Sequence, residues 1–387
     1  MRADAPGLSA RQSALLGLVG LGSAMGIGRF AFTPLLPLMQ DRFGLSIAQG
    51  ATLASINYVG YLVGALLCVA FDPPPGRAAR VGLATVALST LAMALTPWFW
   101  LWALWRLLAG VASAYVLVGV SGWVMNTLAL QGRAAWSGWV FTGVGLGIGL
   151  AGLVGLLAGA SGAGPTLGWL ALGGVASAVV LLSWRHYVDV AADPHHGPVL
   201  VKPPSRAESW RLVLCYGAFG YGYIIPATFL PSQMRELVSD PAVFGWAWPV
   251  FGLAAALSAA LAAGTLAWVP PRRMWAACQA LLAVGVALPA LHLSLLTLTL
   301  SALVVGGTFV VLTQAALQEA RRVGGASATR LMAAMTAAFA VGQLIGPLTI
   351  SSAASGSDAL RLPSLVGAAL LGLGALALLV APPERTT

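Results

Sequence analysis

The sequence has 387 residues, of which 59% are hydrophobic and 8% charged, with a formal net charge of +9. Soluble domains carry about 25% charged residues, so the composition excludes a soluble globular protein and describes a chain built for the bilayer. The positive charge does not signal nucleic acid, because the basic residues fall mainly in alternate loops and form no stripe interleaved with aromatics.

Apolar runs separated by charged or Gly/Pro-rich breaks give twelve candidate spans. The first six cover about 13–39, 47–71, 81–98, 100–125, 134–160 and 166–187. The second six cover about 211–235, 243–268, 273–292, 295–318, 330–354 and 362–381. The first span lacks a small-residue cleavage signal and is read as retained. A polar segment around His186 to Trp210 separates the sixth span from the seventh. This predicts an all-α membrane protein of two six-helix halves, 1–187 and 211–387, joined by a linker over 188–210.

The first span contains Met25-Gly-Ile-Gly-Arg29-Phe-Ala-Phe-Thr-Pro34-Leu-Leu-Pro37. At 1.5 Å per residue, Arg29 lies about 24 Å beyond Ser13, well inside a hydrocarbon core of ~30 Å. A charge at that depth must face protein or water and needs a partner. The stretch returns in altered form as Gly220-Tyr-Gly-Tyr223-Ile-Ile-Pro-Ala-Thr-Phe-Leu-Pro231. A shift of 194 carries Gly26, Gly28 and Pro37 onto Gly220, Gly222 and Pro231, and Arg29 onto Tyr223. Gly145 and Gly149 in the fifth span, and Gly342 and Gly346 in the eleventh, offer small-residue packing faces at a similar shift. Duplicated halves with a charge in one copy suggest a transporter with an asymmetric site at mid-membrane.

Loop charges set the orientation. Of the 20 Lys and Arg residues, fifteen share the side of the termini and linker, and Arg42, Arg235 and Arg361 fall on the other. That bias places both termini and the linker in the cytoplasm of a multi-pass inner-membrane protein. The remaining two, Arg29 and Arg106, are intramembrane, whereas all eleven acidic residues fall in loops or at helix ends. Spans three, six, nine and twelve carry almost no polar side chains and read as lipid-facing.

Twelve spans, a cytoplasmic linker and a 6+6 repeat resemble the major facilitator superfamily over essentially the whole chain. Arg106-Leu-Leu-Ala-Gly110 is similar to that superfamily's Arg-x-x-x-Gly motif of the fourth helix, and Gly342-Gln-Leu-Ile-Gly346-Pro347 resembles its Gly-x-x-x-Gly-Pro motif of the fifth helix in exporters. Leu150 replaces the proline in the fifth span of this chain. The loop motif between the second and third helices is degenerate, Asp72-Pro-Pro-Pro-Gly76-Arg77. The paired stretches around Arg29 and Tyr223 resemble the YbfB/YjiJ-type branch, which implies a fold and transport but not a cargo.

Arg29 heads the candidate site residues, because its planar fork suits a carboxylate or phosphate and its charge is permanent. With no acid in any span interior, a substrate anion is the missing partner; bonding to neighbouring carbonyls and hydroxyls is the competing structural role. Asn57 and Tyr61 share a face of span two, Tyr216 and Tyr223 a face of span seven, and Gln314 and Gln343 lie in spans ten and eleven. Each is a substrate contact or an interhelical bond. Arg106, matched to the superfamily motif, is a candidate for gating or coupling. Asp72, Arg77, Glu319 and Arg321 are candidates for a cytoplasmic gate, against a plain reading as solvated loop charges.

No cofactor is expected. Cys68, Cys215 and Cys278 have spacings unlike a metal or disulfide framework, and His195-His196 lacks a ligand set. No base-and-orienter arrangement suggests an enzyme, and no Gly-x-x-x-x-Gly-Lys phosphate loop suggests an ATP-driven pump. The expectation is a secondary transporter, a monomer in the bilayer, moving a small organic anion such as a carboxylate by alternating access, with a proton travelling on the substrate–Arg pair. An efflux transporter of amphipathic drugs or metabolites is a second reading, favoured by the aromatic- and Gly-rich interior. A receptor or scaffold that does not move its ligand is a reading from another class.

Overall fold

The computed structural model describes residues 8–71, 73–133, 136–189, 205–265, 269–324, 328–350 and 356–380. Among them, twelve long helices carry the fold. The first six are α1 (Ala10–Phe43), α2 (Ile47–Phe71), α3 (Pro75–Leu95), α4 (Phe99–Leu130), α5 (Thr142–Ala160) and α6 (Gly164–Ser183). The second six are α7 (Arg206–Leu237), α8 (Ala247–Thr265), α9 (Pro271–Leu291), α10 (Leu295–Gly324), α11 (Ala328–Leu348) and α12 (Asp358–Leu379). Eleven are long and apolar enough to cross a membrane; the apolar part of the other, Ala334–Leu348 of α11, is shorter. The architecture is that of a major facilitator fold, with two six-helix pseudo-repeats.

Most helices outrun their apolar segments. Arg77 and Arg80 open α3, Glu208 and Arg211 open α7, and Glu319, Arg321 and Arg322 close α10. The hydrogen-bond ladder does not stop where hydrophobicity stops, and long cationic side chains at helix ends reach the interface. The local ends have identifiable causes. Ser9 and Gln12 form a capping box at the start of α1, with Gln12 Oε1 accepting the Ser9 N–H at 2.8 Å. Gly44, at φ 67°, closes α1 in the left-handed region, its N–H reaching Gln40 O at 3.0 Å.

Glycines set the closest helix crossings. A Cβ on Gly147 of α5 would lie 2.2 Å from the Gly22 carbonyl oxygen of α1, and one on Gly342 of α11 would lie 2.4 Å from the Gly217 carbonyl oxygen of α7. Both contacts are one contact repeated at a shift of 195, since Gly22 maps onto Gly217 and Gly147 onto Gly342. Gly145 and Gly149 turn elsewhere: they face Ala256 and Gly252 of α8. Contacts of α5 with α8 and of α2 with α11 form the long seams between the pseudo-repeats. Burial is greatest in α1 and α7 and least in α6 and α12. The expectation that spans three and nine are lipid-facing all round does not hold, because Ser89 and Thr90 of α3 are buried, and Gln279 of α9 is buried and bonded to Trp275, Cys215 and Leu371. A single amide in an apolar run is invisible to averaging, yet it must find partners where water is absent.

Candidate functional site

The centre of the molecule is built on a break in α1. Gly22–Arg29 form a π-helical segment, and Phe30–Ala31 form a turn that interrupts the regular ladder before α-helix resumes at Phe32. Pro34 has no N–H to give Phe30, whose carbonyl accepts from Thr33 at 3.2 Å instead. Arg106 of α4 secures this break. Its Nη1 and Nη2 donate to the carbonyls of Gly28 and Arg29 at 3.4 and 3.2 Å, and its guanidinium lies 4.7 Å from the Phe32 ring centroid. Four residues on, Gly110 admits the α2 backbone: a Cβ there would lie 2.1 Å from the Asn57 carbonyl oxygen.

Held in this way, Arg29 is 2% exposed. Its Nη2 donates to Gln343 Oε1, and Gln343 Nε2 donates to the Tyr223 hydroxyl at 2.5 Å. One carboxamide therefore bridges Arg29 and the residue that occupies its repeat position. The guanidinium lies 4.2 Å from the Tyr61 centroid, with Phe30 and Tyr58 at 5.4 and 5.6 Å. Its Nε is buried without a hydrogen-bond partner, and among the described residues no carboxylate pairs with it. The charge is met by neutral groups and ring faces.

Aromatic rings extend the site. Tyr223 stacks between Phe309 and Phe339, with centroids at 5.7 and 5.6 Å and planes within 14°. Tyr216 stacks on the other side of the cluster against Phe339 at 5.1 Å, and Phe309 continues through Phe251 to Trp248. Arg29, Tyr61, Tyr223 and Gln343 thus meet, with Tyr216 joined through Phe339. Asn57 and Gln314 do not join them by any hydrogen bond. Asn57 Nδ2 donates to the Arg106 carbonyl at 2.8 Å, and Gln314 makes a long 3.5 Å contact with the Gly138 carbonyl.

On the side of the linker, Glu319 is fully buried at the end of α10 and takes two 2.7 Å hydrogen bonds from Arg322. Arg272 of α9 lies 3.9 Å from it and also pairs with Glu208 of α7, which Arg211 holds as well. Arg321 points across to α4, its Nη2 at 3.1 Å from Met125 Sδ. Arg77 is exposed at the start of α3, and Asp72 and the linker histidines lie outside the described residues.

Several site residues carried no sequence signal. At the end away from the linker, the Thr33 hydroxyl donates to the Ala227 carbonyl at 3.1 Å, Tyr58 and Thr228 share a 2.9 Å hydrogen bond, and Arg235 pairs with Asp41 at 3.0 Å. Residues 33 and 227, and 41 and 235, are each 194 apart. The pseudo-two-fold relation between the halves brings repeat-mates face to face here. Near the linker, Tyr187 is buried, donates to the Leu16 carbonyl at 2.8 Å and packs edge-on against Trp123. Asp189 accepts the Gly76 N–H at 2.6 Å.

A helical bundle of this kind, broken at its centre around a buried guanidinium, belongs to the class of multi-pass membrane transporters of the major facilitator superfamily. Residues 21–379 match the family model described as "Uncharacterised MFS-type transporter YbfB", and the chain belongs to that family. No curated protein matches the chain in sequence. Among solved structures, it is similar to a point mutant of the nucleoside transporter NupG, at 14% identity and a TM-score of 0.69, over 95% of this chain and 98% of that one. It is also similar to the human organic anion transporter MFSD10 (TETRAN), at 17% identity and a TM-score of 0.67, over 96% and 100%. Likenesses at these identities describe the fold. The protein is a transporter of a small molecule and not an enzyme.

Proposed function

We propose that this transporter carries a small organic anion with an apolar body, by alternating access between halves 1–187 and 211–387 joined by the 188–210 linker. The observation that carries the reading is Arg29, buried at mid-bundle and faced by no carboxylate among the described residues. Desolvating such a charge costs several kcal/mol even after relaxation. One hydrogen bond to a neutral acceptor returns about 1.5–3 kcal/mol and a desolvated cation–π contact about 2 kcal/mol. The guanidinium keeps unspent affinity for an anion, and the row of rings from Tyr216 to Trp248 suits an apolar or aromatic body.

In this reading Arg29, Tyr61, Tyr216, Tyr223 and Gln343 contact the substrate, and Asn57 and Gln314 position neighbouring helices. Arg106 acts as a positioning residue for the broken helix. Glu319 and Arg321 belong to the gate near the linker. A proton travels with the substrate–Arg29 pair, the protein works as a monomer in a bacterial inner membrane, and both termini face the cytoplasm. The aromatic row also favours a second reading, export of amphipathic drugs; lipophilic cations conflict with Arg29.

A thermal-shift screen of the purified protein against small organic anions, amines and neutral compounds tests this. Stabilisation by anions that disappears in both Arg29→Ala and Arg29→Lys is the expected result. Hits among lipophilic cations that survive Arg29→Ala contradict it.

A further inference from the structure

Gln343 sits where a ligand's oxygens belong. Its carboxamide is fully buried and spans the guanidinium of the first half and the hydroxyl of the second, Oε1 toward Arg29 and Nε2 toward Tyr223. Its neighbours are closely packed. Gly342 holds α11 against the Gly217 carbonyl of α7, where a Cβ would come within 2.4 Å. Tyr223 is clamped between two rings, and Arg29 lies against Tyr61. Gln343 itself is an unbranched side chain with rotatable bonds, and it is the movable part of the bridge.

A carboxamide and a carboxylate are planar groups of the same shape, each with two heteroatoms on one sp² carbon. A carboxylate in this place offers Arg29 an ionised acceptor, which makes a hydrogen bond roughly twice as strong as a neutral one. The Tyr223 hydroxyl, which accepts from Gln343 Nε2, turns its proton and donates to the second carboxylate oxygen. A tetrahedral phosphate or sulfonate offers two oxygens here only with a third projecting out of the plane that the carboxamide occupies, so it matches the seat less well than a carboxylate does.

We infer that the Gln343 carboxamide occupies the seat of a substrate carboxylate, and that Gln343 is the specificity-determining competitor which the substrate displaces. This rests on the organic-anion reading above and narrows it to planar carboxylates. With the seat self-occupied, the substrate-free protein holds its halves together across Arg29–Gln343–Tyr223. Entry of a carboxylate replaces that bridge with one that runs through the substrate, so that at this point the two halves come to be joined by the cargo.

The test uses the purified full-length protein, with benzoate as the probe and phenylphosphonate as the tetrahedral control. Wild type, Gln343→Ala, Gln343→Glu and each of these with Arg29→Ala are compared by ligand-free unfolding temperature and by benzoate titration. The expected results are benzoate binding roughly tenfold tighter in Gln343→Ala, because a charge-bonded competitor worth about that factor is gone. Gln343→Glu has no measurable benzoate binding, and it melts above wild type only while Arg29 is present. Arg29-dependent benzoate binding of equal strength in wild type, Gln343→Ala and Gln343→Glu overturns the assignment and leaves the organic-anion reading standing. Phenylphosphonate binding as tightly as benzoate also overturns it. No Arg29-dependent anion binding in any variant, including Gln343→Ala, overturns the organic-anion reading and this one with it.

Discussion

Arg29 and Arg106 are both buried arginines in neighbouring helices, yet their surroundings divide their roles. Arg106 spends its two Nη donors on the carbonyls of a broken helix, and Arg29 meets a neutral amide and ring faces. Arg106→Ala frees two buried carbonyls and is expected to cost about 3 kcal/mol. Arg106→Lys, a point donor without a fork, is expected to fall between that variant and wild type. Unfolding midpoints in detergent check the order, and three equal midpoints contradict the clasp. For Arg29 the ring face of Tyr61 is the nearest aromatic support. Tyr61→Phe should keep anion binding, and Tyr61→Leu should weaken it by roughly tenfold in a titration. Sequence reasoning reached this cluster because a lone arginine in an apolar run and its repeat-mate Tyr223 are conspicuous. Helical spacing makes Asn57 and Tyr61 equals, since residues four apart share a helix face. In the structure Asn57 is claimed by the Arg106 carbonyl of α4 and Tyr61 by Arg29 of α1, and which neighbour lies beside each is a matter of packing that helical spacing does not contain.

At the scale of elements, glycines decide which helices touch. Gly26, in the π-helical segment, faces Gly147 so closely that a Cβ on it would fall 2.3 Å from the Gly147 carbonyl carbon, whereas Gly174 of α6 has open space. Gly26→Ala should force α1 from α5, disturb the placement of Arg29, and cut the yield of folded protein in size-exclusion chromatography. Gly174→Ala should leave yield and elution unchanged. Equal behaviour of the two would contradict the close crossing. The existence of the helices was legible in composition, and their ends were less so. Glu208 reads as linker among its polar neighbours, but Ser205 caps a helix there, its hydroxyl accepting the Glu208 N–H at 3.2 Å. That places the carboxylate beside Arg211 and Arg272. The result is an ionic cluster joining α7, α9 and α10, in which Arg272 links carboxylates 64 residues before it and 47 after it in sequence.

For the whole molecule, contacts flank Arg29 on both sides: Thr33–Ala227, Tyr58–Thr228 and Asp41–Arg235 at one end, and Arg321–Met125 toward the linker. Asp41 and Arg235 are partly exposed, and such a pair contributes at most about 1 kcal/mol. Asp41→Asn alone should therefore change flux little. Joining Asp41→Cys to Arg235→Cys with a short bifunctional thiol reagent, in a background lacking Cys68, Cys215 and Cys278, should stop flux by pinning α1 to α7. Undiminished flux at complete cross-linking would show that this end need not open. The 194-residue shift made the two-half plan legible. The meeting of repeat-mates and the packing of Tyr187 against α1 depend on the docking of the halves and of the stretch that follows α6, which no local pattern records. The most direct measurement is uptake of radiolabelled benzoate, or of a carboxylate found in the anion screen, into proteoliposomes holding wild type, Arg29→Lys or Arg29→Ala. Saturable uptake in wild type that falls to the protein-free background in both variants is the predicted result. Saturable flux of a cation or neutral compound that persists in Arg29→Ala, or carboxylate binding without any flux, would contradict the account.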